Sequence, residues 1–193
     1  MEQKEIMVPV EVSARHIHLS PADREILFGK DYKLKPLKKL SQGEDFAAEE
    51  TVDMEYNEHE IKGIRVVGPE RPKTQLELTL ADSYKLKADI PVRLSGDVDK
   101  TPGFRIIGPA GVAVTKEGLI VAKRHLHLSP EDAEKYGIKN EDLVSVTCGE
   151  QRKVAFHNVA VRVMKGFKLT MHIDVDEANA AGLKVCGVGK LIV

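Results

Sequence analysis

Apolar and polar positions alternate along much of this chain, in runs too short for helices. Residues 74–80 place Leu76, Leu78 and Leu80 on one face and Gln75, Glu77 and Thr79 on the other, the period of a half-buried strand. Residues 7–12, 119–122, 144–147, 154–156, 159–163 and 169–173 are further runs rich in strand formers and separated by turn residues. Short helices interrupt them. Pro21–Phe28 and Pro130–Tyr136 each follow a serine suited to cap free N–H groups, begin with proline, carry aspartate at the third position and stop at Gly29 or Gly137. Residues 176–181, closed by Gly182, form another. The Lys-rich stretch 30–39 has little periodicity and reads as a loop or insertion. Many short strands with few short helices predict a mainly β chain built from barrels rather than from a doubly wound sheet.

An internal repeat organises these elements. Residues 12–23 read VSARHIHLSPAD and residues 121–132 read VAKRHLHLSPED. The offset, about 110 residues, exceeds the roughly 20–50-residue period of solenoids and points to two related domains or one duplicated, pseudo-symmetric fold. A weaker echo, Arg65-Val66-Val67-Gly68-Pro69 against Arg105-Ile106-Ile107-Gly108-Pro109, points the same way.

Composition narrows the function classes. A chain of 193 residues that is 42% hydrophobic can bury a core in one large or two small domains. Its charges nearly cancel, leaving a net charge of −1, and it has no Trp and only 5% aromatics. That balance excludes an electrostatic or base-stacking nucleic-acid surface. No apolar run approaches the ~20 residues that span a membrane, and the first five residues carry no signal-peptide core. The expected compartment is the cytoplasm. Cys148 and Cys186 lie in Val-rich stretches without paired spacing and read as core residues in a reducing environment.

The chemistry concentrates in the repeat. Positions i and i+2 of a strand share a face, so His16 and His18 project together, as do His125 and His127, while Ile17 and Leu126 point into the opposite layer. An isolated pair of this kind is more often two exposed histidines. Two copies in matching flanks favour a two-point metal chelate in each half. A catalytic zinc takes three protein donors and keeps one position open. His172, in Thr170-Met171-His172-Ile173-Asp174, is the best internal third donor, and Glu77 is the best carboxylate, although spacing alone leaves a solvated strand face ahead for Glu77. His59 and His157 read as surface turn residues. Arg15, Arg71 and Arg124 are candidate phosphate contacts because the guanidinium forms a planar fork, with a surface charge as the plain alternative for each. Ser95, beside Gly96, is a candidate substrate contact and equally a turn residue. Walker, Rossmann and nucleophile-elbow motifs are absent.

The segments 13–20, 46–52, 71–77, 95–97, 116–118, 124–129 and 171–181 together resemble the PduL-type phosphotransacylases, also called phosphate propanoyltransferases, and the likeness runs in order over residues 8–183. The resemblance implies two β-barrel domains capped by short α-helices with a two-zinc site between them. One barrel would combine residues 5–14 with 123–193, and the other would span 15–122 with an insertion at about 29–49. It implies one zinc on His16, His18 and Glu77 and another on His125, His127 and His172, with Arg71 contacting phosphate. It further implies acyl-CoA and phosphate as substrates, CoA as leaving product, and a homodimer with the insertion at its contact. About a dozen residues precede the first motif, so the amphipathic extension that targets such proteins to microcompartments is not expected.

The implied reaction is reversible exchange of CoA and phosphate on a short acyl group. Acetyl and propanoyl differ by one methylene, worth only about 1–3 kcal/mol of discrimination. Two other readings stay open: a two-metal hydrolase, for which the repeats offer no bridging aspartate, and a non-catalytic metal-stabilised barrel, which would need four donors per ion. Elemental analysis of protein purified without chelator should find two zinc ions per chain. One ion would remove one donor set, and none would end the metal reading.

Overall fold

The computed structural model describes residues 6–41 and 43–192. Residues 1–5, read above as lacking a signal core and as opening the first barrel at position 5, lie outside this range, as do Gln42 in the expected insertion and Val193. In chain order the first strands are β1 Ile6–Ser13, β2 His16–His18, β3 Pro36–Lys39, β4 Phe46–Tyr56, β5 His59–Gly68 and β6 Gln75–Leu78. Next come β7 Val92–Arg93, β8 Arg105–Ile107, β9 Val112–Val114 and β10 Leu119–Ala122. The last are β11 His125–Leu128, β12 Leu143–Cys148, β13 Val154–Val163, β14 Thr170–Asp174 and β15 Cys186–Ile192. Four short helices are interspersed: α1 Pro21–Phe28, α2 Leu80–Lys85, α3 Pro130–Tyr136 and α4 Val175–Ala181. No helix among the described residues is long and apolar enough to cross a membrane.

The chain divides into two compact units, one of residues up to Ala14 together with Lys123 onward, the other Arg15–Ala122. The first is a closed barrel in the order β1-β14-β11-β13-β12-β15. The second is a nine-stranded sheet whose main path runs β7-β10-β6-β2-β5-β4-β8-β9, with β3 on the edge of β4. Among the described residues its end strands are not paired to each other, so this unit is a half-barrel. The mainly β architecture with short capping helices is therefore as the pattern predicted.

The helices form where the sequence supplies caps. Ser20 and Ser129 accept from the backbone N–H groups of Asp23 and Asp132, with Pro21 and Pro130 at the first helical position. Gly137 and Gly182 adopt the left-handed conformation that ends α3 and α4. Each histidine strand leads directly into one of the serine-capped helices, which keeps the strands to three and four residues.

Several local readings change. The strand at 74–80 ends at Leu78, because Thr79 and Asp82 form a capping box that starts α2 and leaves Leu80 exposed. The stretch 30–39 contains the exposed edge strand β3, whose pairing with β4 the composition did not signal. Residues 154–156 and 159–163 are one continuous β13, with Asn158 at φ 56 absorbing the irregularity. His157 therefore lies within a strand and contacts Ser145 Oγ at 2.7 Å. His59 opens β5 after a two-residue turn in which Asn57 and Glu58 have positive φ. Cys148 is buried, but Cys186 is exposed on β15. The Arg65 and Arg105 echoes lie on β5 and β8 of the same unit, so they do not mark the duplication.

The duplication appears instead in strand order. In the second unit β2 is parallel to β5 and antiparallel to β6, which is parallel to β10. In the first, β11 is parallel to β13 and antiparallel to β14, which is parallel to β1. Ile17 and Leu126, between the histidines of each pair, are fully buried in the two separate cores. Ile17→Ala and Leu126→Ala should each cost about 2–5 kcal/mol of stability by leaving a cavity. Urea unfolding of the two variants measures this.

Candidate functional site

In the second unit, β2 presents His16 and His18 away from Ile17, and the neighbouring β6 presents Glu77, the register partner of His16. Glu77 Oε1 lies 3.6 Å from His16 Nε2 and 3.9 Å from His18 Nε2. The ligand atoms of these three side chains lie within 4.8 Å of one another, and among the described residues no other group of three His, Cys, Asp or Glu converges as closely. The Nδ1–H of His18 donates to the Val67 carbonyl at 3.1 Å, which fixes the tautomer and leaves Nε2 facing Glu77. Glu77 is buried, not on a solvated face.

Electrostatics favour an anionic Glu77 beside a neutral His18. Burial pushes the Glu77 carboxyl up, but His16, His18, the Ser95 hydroxyl and Arg71 together bring it down to about 2. Burial, then His16 and Arg71, hold His18 well below its ordinary value against the opposing pull of Glu77. Two imidazoles and one carboxylate are a donor set of catalytic zinc sites, so these residues fit a divalent metal.

The first unit assembles His125, His127 and His172 by the same register, His125 facing His172 across β11 and β14. Ring centroids stand 4.7 Å apart for His125 and His127, 5.2 Å for His125 and His172, and 4.9 Å for His127 and His172. His125 Nδ1–H donates to the Lys123 carbonyl at 3.0 Å. His127 is buried with Phe167 stacked on it at 4.0 Å, and neither of its ring nitrogens has a hydrogen-bond partner among the described residues. Burial, then His125 and His172, depress it to about 2. A buried imidazole kept neutral with both nitrogens unmet is suited to a metal, since such groups otherwise carry an unrecovered desolvation cost.

Arg71 follows β5 and the cis Gly68–Pro69 peptide. Its Nη1 donates to Ser95 Oγ at 2.8 Å, and its Nη2 lies 3.3 Å from Asp45 Oδ2. Gln75 Nε2 donates to both Ser95 Oγ at 2.9 Å and Glu77 Oε1 at 2.6 Å, while Gln75 Oε1 accepts from Gly96 N at 2.6 Å. Arg71, Ser95 and Glu77 thus belong to one hydrogen-bonded chain. Arg15 and Arg124 have other partners: Arg15 pairs with Asp82, and Arg124 with Glu177 and the His157 carbonyl. Gln75, Asp45, Phe167 and Glu11, whose Oε2 is 4.0 Å from His172 Nε2, were not singled out in the sequence. Gln75 alone carried a signal, lying two residues before Glu77 on the same strand face.

A family model for phosphate propanoyltransferase matches residues 9–184. The chain belongs to the phosphate propanoyltransferase family. A phosphate propanoyltransferase of Thermotoga maritima is 47% identical over 94% of the chain and 87% of its own length. Relatives of that name from Lachnoclostridium phytofermentans and Clostridioides difficile are 45% and 41% identical, covering 93% and 98% of the chain and 84% and 91% of their own lengths. Family membership makes the chain a transferase of acyl groups by class.

The buried histidines set a pH dependence for the metal-stripped protein. His18 and His127 have folded pKa values below the ordinary histidine value near 6.5, so the unfolded chain protonates first as pH falls. Their contribution is neutral above about pH 7. Below about pH 6 each should cost about 1.4 kcal/mol of stability per pH unit. Glu77 adds a loss only below its unfolded value near 4.5. Urea midpoints from pH 8 to 5 should therefore fall in wild type and fall less in His18→Gln.

Proposed function

We propose that this chain is a zinc-dependent phosphotransacylase that reversibly converts a short acyl-CoA, propanoyl or acetyl, and phosphate into the acyl phosphate and free CoA. The observation that carries the reading is the hydrogen-bonded chain from Arg71 through Ser95 and Gln75 to Glu77, which ties an anion-binding guanidinium to the metal-fitting triad. His16, His18 and Glu77 would hold one zinc ion, and His125, His127 and His172 a second. Zinc bound by such donors polarises a carbonyl and stabilises a thiolate.

The protein's own groups account for the rest. Arg71 offers a planar fork that matches two phosphate oxygens, and Asp45 occupies part of it until phosphate competes. Ser95 and Gln75 hold that fork and Glu77 in fixed relation, so phosphate is oriented rather than merely attracted. A phosphate oxygen forms a bond to the thioester carbonyl carbon, the C–S bond breaks, and the sulfur leaves as thiolate. The reverse reaction retraces these changes.

CoA release from propanoyl-CoA should require phosphate. Release without phosphate would make the protein a hydrolase, and no release in either condition would leave a structural metal protein. In the same assay Arg71→Ala should raise the phosphate KM about tenfold or more, since a charge-assisted hydrogen bond is worth about 1.5–3 kcal/mol. Arg71→Lys should fall between, because a point charge lacks the fork. Unchanged phosphate kinetics in the Ala variant, with circular dichroism intact, would move phosphate away from Arg71.

A further inference from the structure

The arginine that precedes each histidine pair has the same kind of partner in both units. Arg15 Nη1 lies 3.0 Å from Asp82 Oδ1, and Arg124 Nη1 donates to Glu177 Oε1 at 2.5 Å. Asp82 and Glu177 are each the third residue of the helix that follows the strand bearing Glu77 or His172. In each case the second carboxylate oxygen closes the helix cap. Asp82 Oδ2 accepts from Thr79 N at 3.4 Å, and Glu177 Oε2 accepts from Asp174 N at 3.1 Å. Thr79 stands two residues beyond Glu77, and Asp174 two residues beyond His172. One carboxylate therefore joins the entry of the histidine strand to the exit of the strand that carries the third donor, and the wiring is the same in both copies.

Chance is a poor account of this agreement, because the two segments share a capping box but no identical residue: Thr-Leu-Ala-Asp in one, Asp-Val-Asp-Glu in the other. The acid differs in length, yet each reaches both partners. Asp82 has a side chain only 2% exposed, with Arg15 and the more distant Lys85 Nζ at 3.7 Å as its charged neighbours. Arg124 is further fixed by the His157 carbonyl at 2.8 Å and by the Phe156 ring beneath its guanidinium at 5.7 Å.

We propose that Arg15 and Arg124 are positioning residues that set the third donor against the histidine pair, Arg15 for Glu77 and Arg124 for His172, acting through Asp82 and Glu177. This replaces the phosphate contact expected of them from the sequence, and it rests on the metal reading above. Partners of metal ligands of this kind typically change affinity by about 10–100-fold when lost.

The test is Co²⁺ binding to metal-stripped, full-length protein, followed by visible absorption, with phosphate KM measured at saturating Co²⁺. Arg15→Met and Asp82→Asn should each weaken one of the two ions by about tenfold. The double variant should be no worse than either, because the residues act as one unit. Arg15→Lys should recover part of the loss, and phosphate KM should not change. Arg124→Met and Glu177→Gln should weaken the other ion in the same way. If Arg15→Met fails to fold with Asp82 left unpaired, the uncharged double variant carries the same measurement. Unchanged Co²⁺ affinity with a raised phosphate KM would overturn the proposal and return Arg15 to substrate contact. Wild-type protein that takes up no Co²⁺ would overturn the metal reading, and this proposal with it.

Discussion

Everything chemical in this chain depends on the two-residue period of a very short strand. Ile17 and Leu126 are driven into their cores by the hydrophobic effect, and the strand geometry then obliges the residues on either side to face the other way together. A histidine pair is thus positioned by a side chain that does no chemistry. The serine-capped helix that follows immediately prevents the strand from lengthening or slipping, since a shift of one residue would bury both imidazoles and expose the aliphatic between them.

The two copies share this frame and differ in the third donor. At the same register position one unit offers the carboxylate of Glu77 and the other the imidazole of His172. A divalent ion in the all-histidine set would keep one more unit of positive charge than its counterpart, which makes it the stronger electrophile of the two. The surroundings follow suit. Glu77 is embedded in hydrogen bonds from Gln75 and Ser95, whereas His127 is held by the stacked ring of Phe167.

The repeat, the alternation and the caps made β1, β6, β10, β12, β13, β14, the helices α1, α3 and α4 and the shared face of each histidine pair legible without coordinates, whereas β4, β5 and β15 were not among the runs read as strands. What escaped was set by competition or by distance along the chain. Leu80 fits the strand pattern and also the first turn of a helix, and only the Thr79–Asp82 cap decides between them. The edge strand β3 forms because β4 offers it a ladder, a cause that a lysine-rich sequence cannot display. Glu77 read as a surface residue by period alone, because alternation reports two faces of a strand but not that both are covered. The carboxylate partners of Arg15 and Arg124 lie more than fifty residues away, as the Arg124–Glu177 separation of 53 illustrates, and no local pattern connects them.

The barrel closes with β1 lodged between β14 and β15, so the first of the described strands pairs with the last two. The half-barrel, in contrast, is one uninterrupted stretch of chain. During synthesis the half-barrel can complete its sheet while β1 waits, its alternate apolar residues Ile6, Val8 and Val10 without their native neighbours until β14 and β15 have been made. Long-range closure of this kind is slow, because the entropy of the intervening loop is lost before any contact compensates. The histidines of β11 and β14 therefore come together last, and any condition that favours aggregation over this closure should deplete that histidine cluster before the group around Glu77.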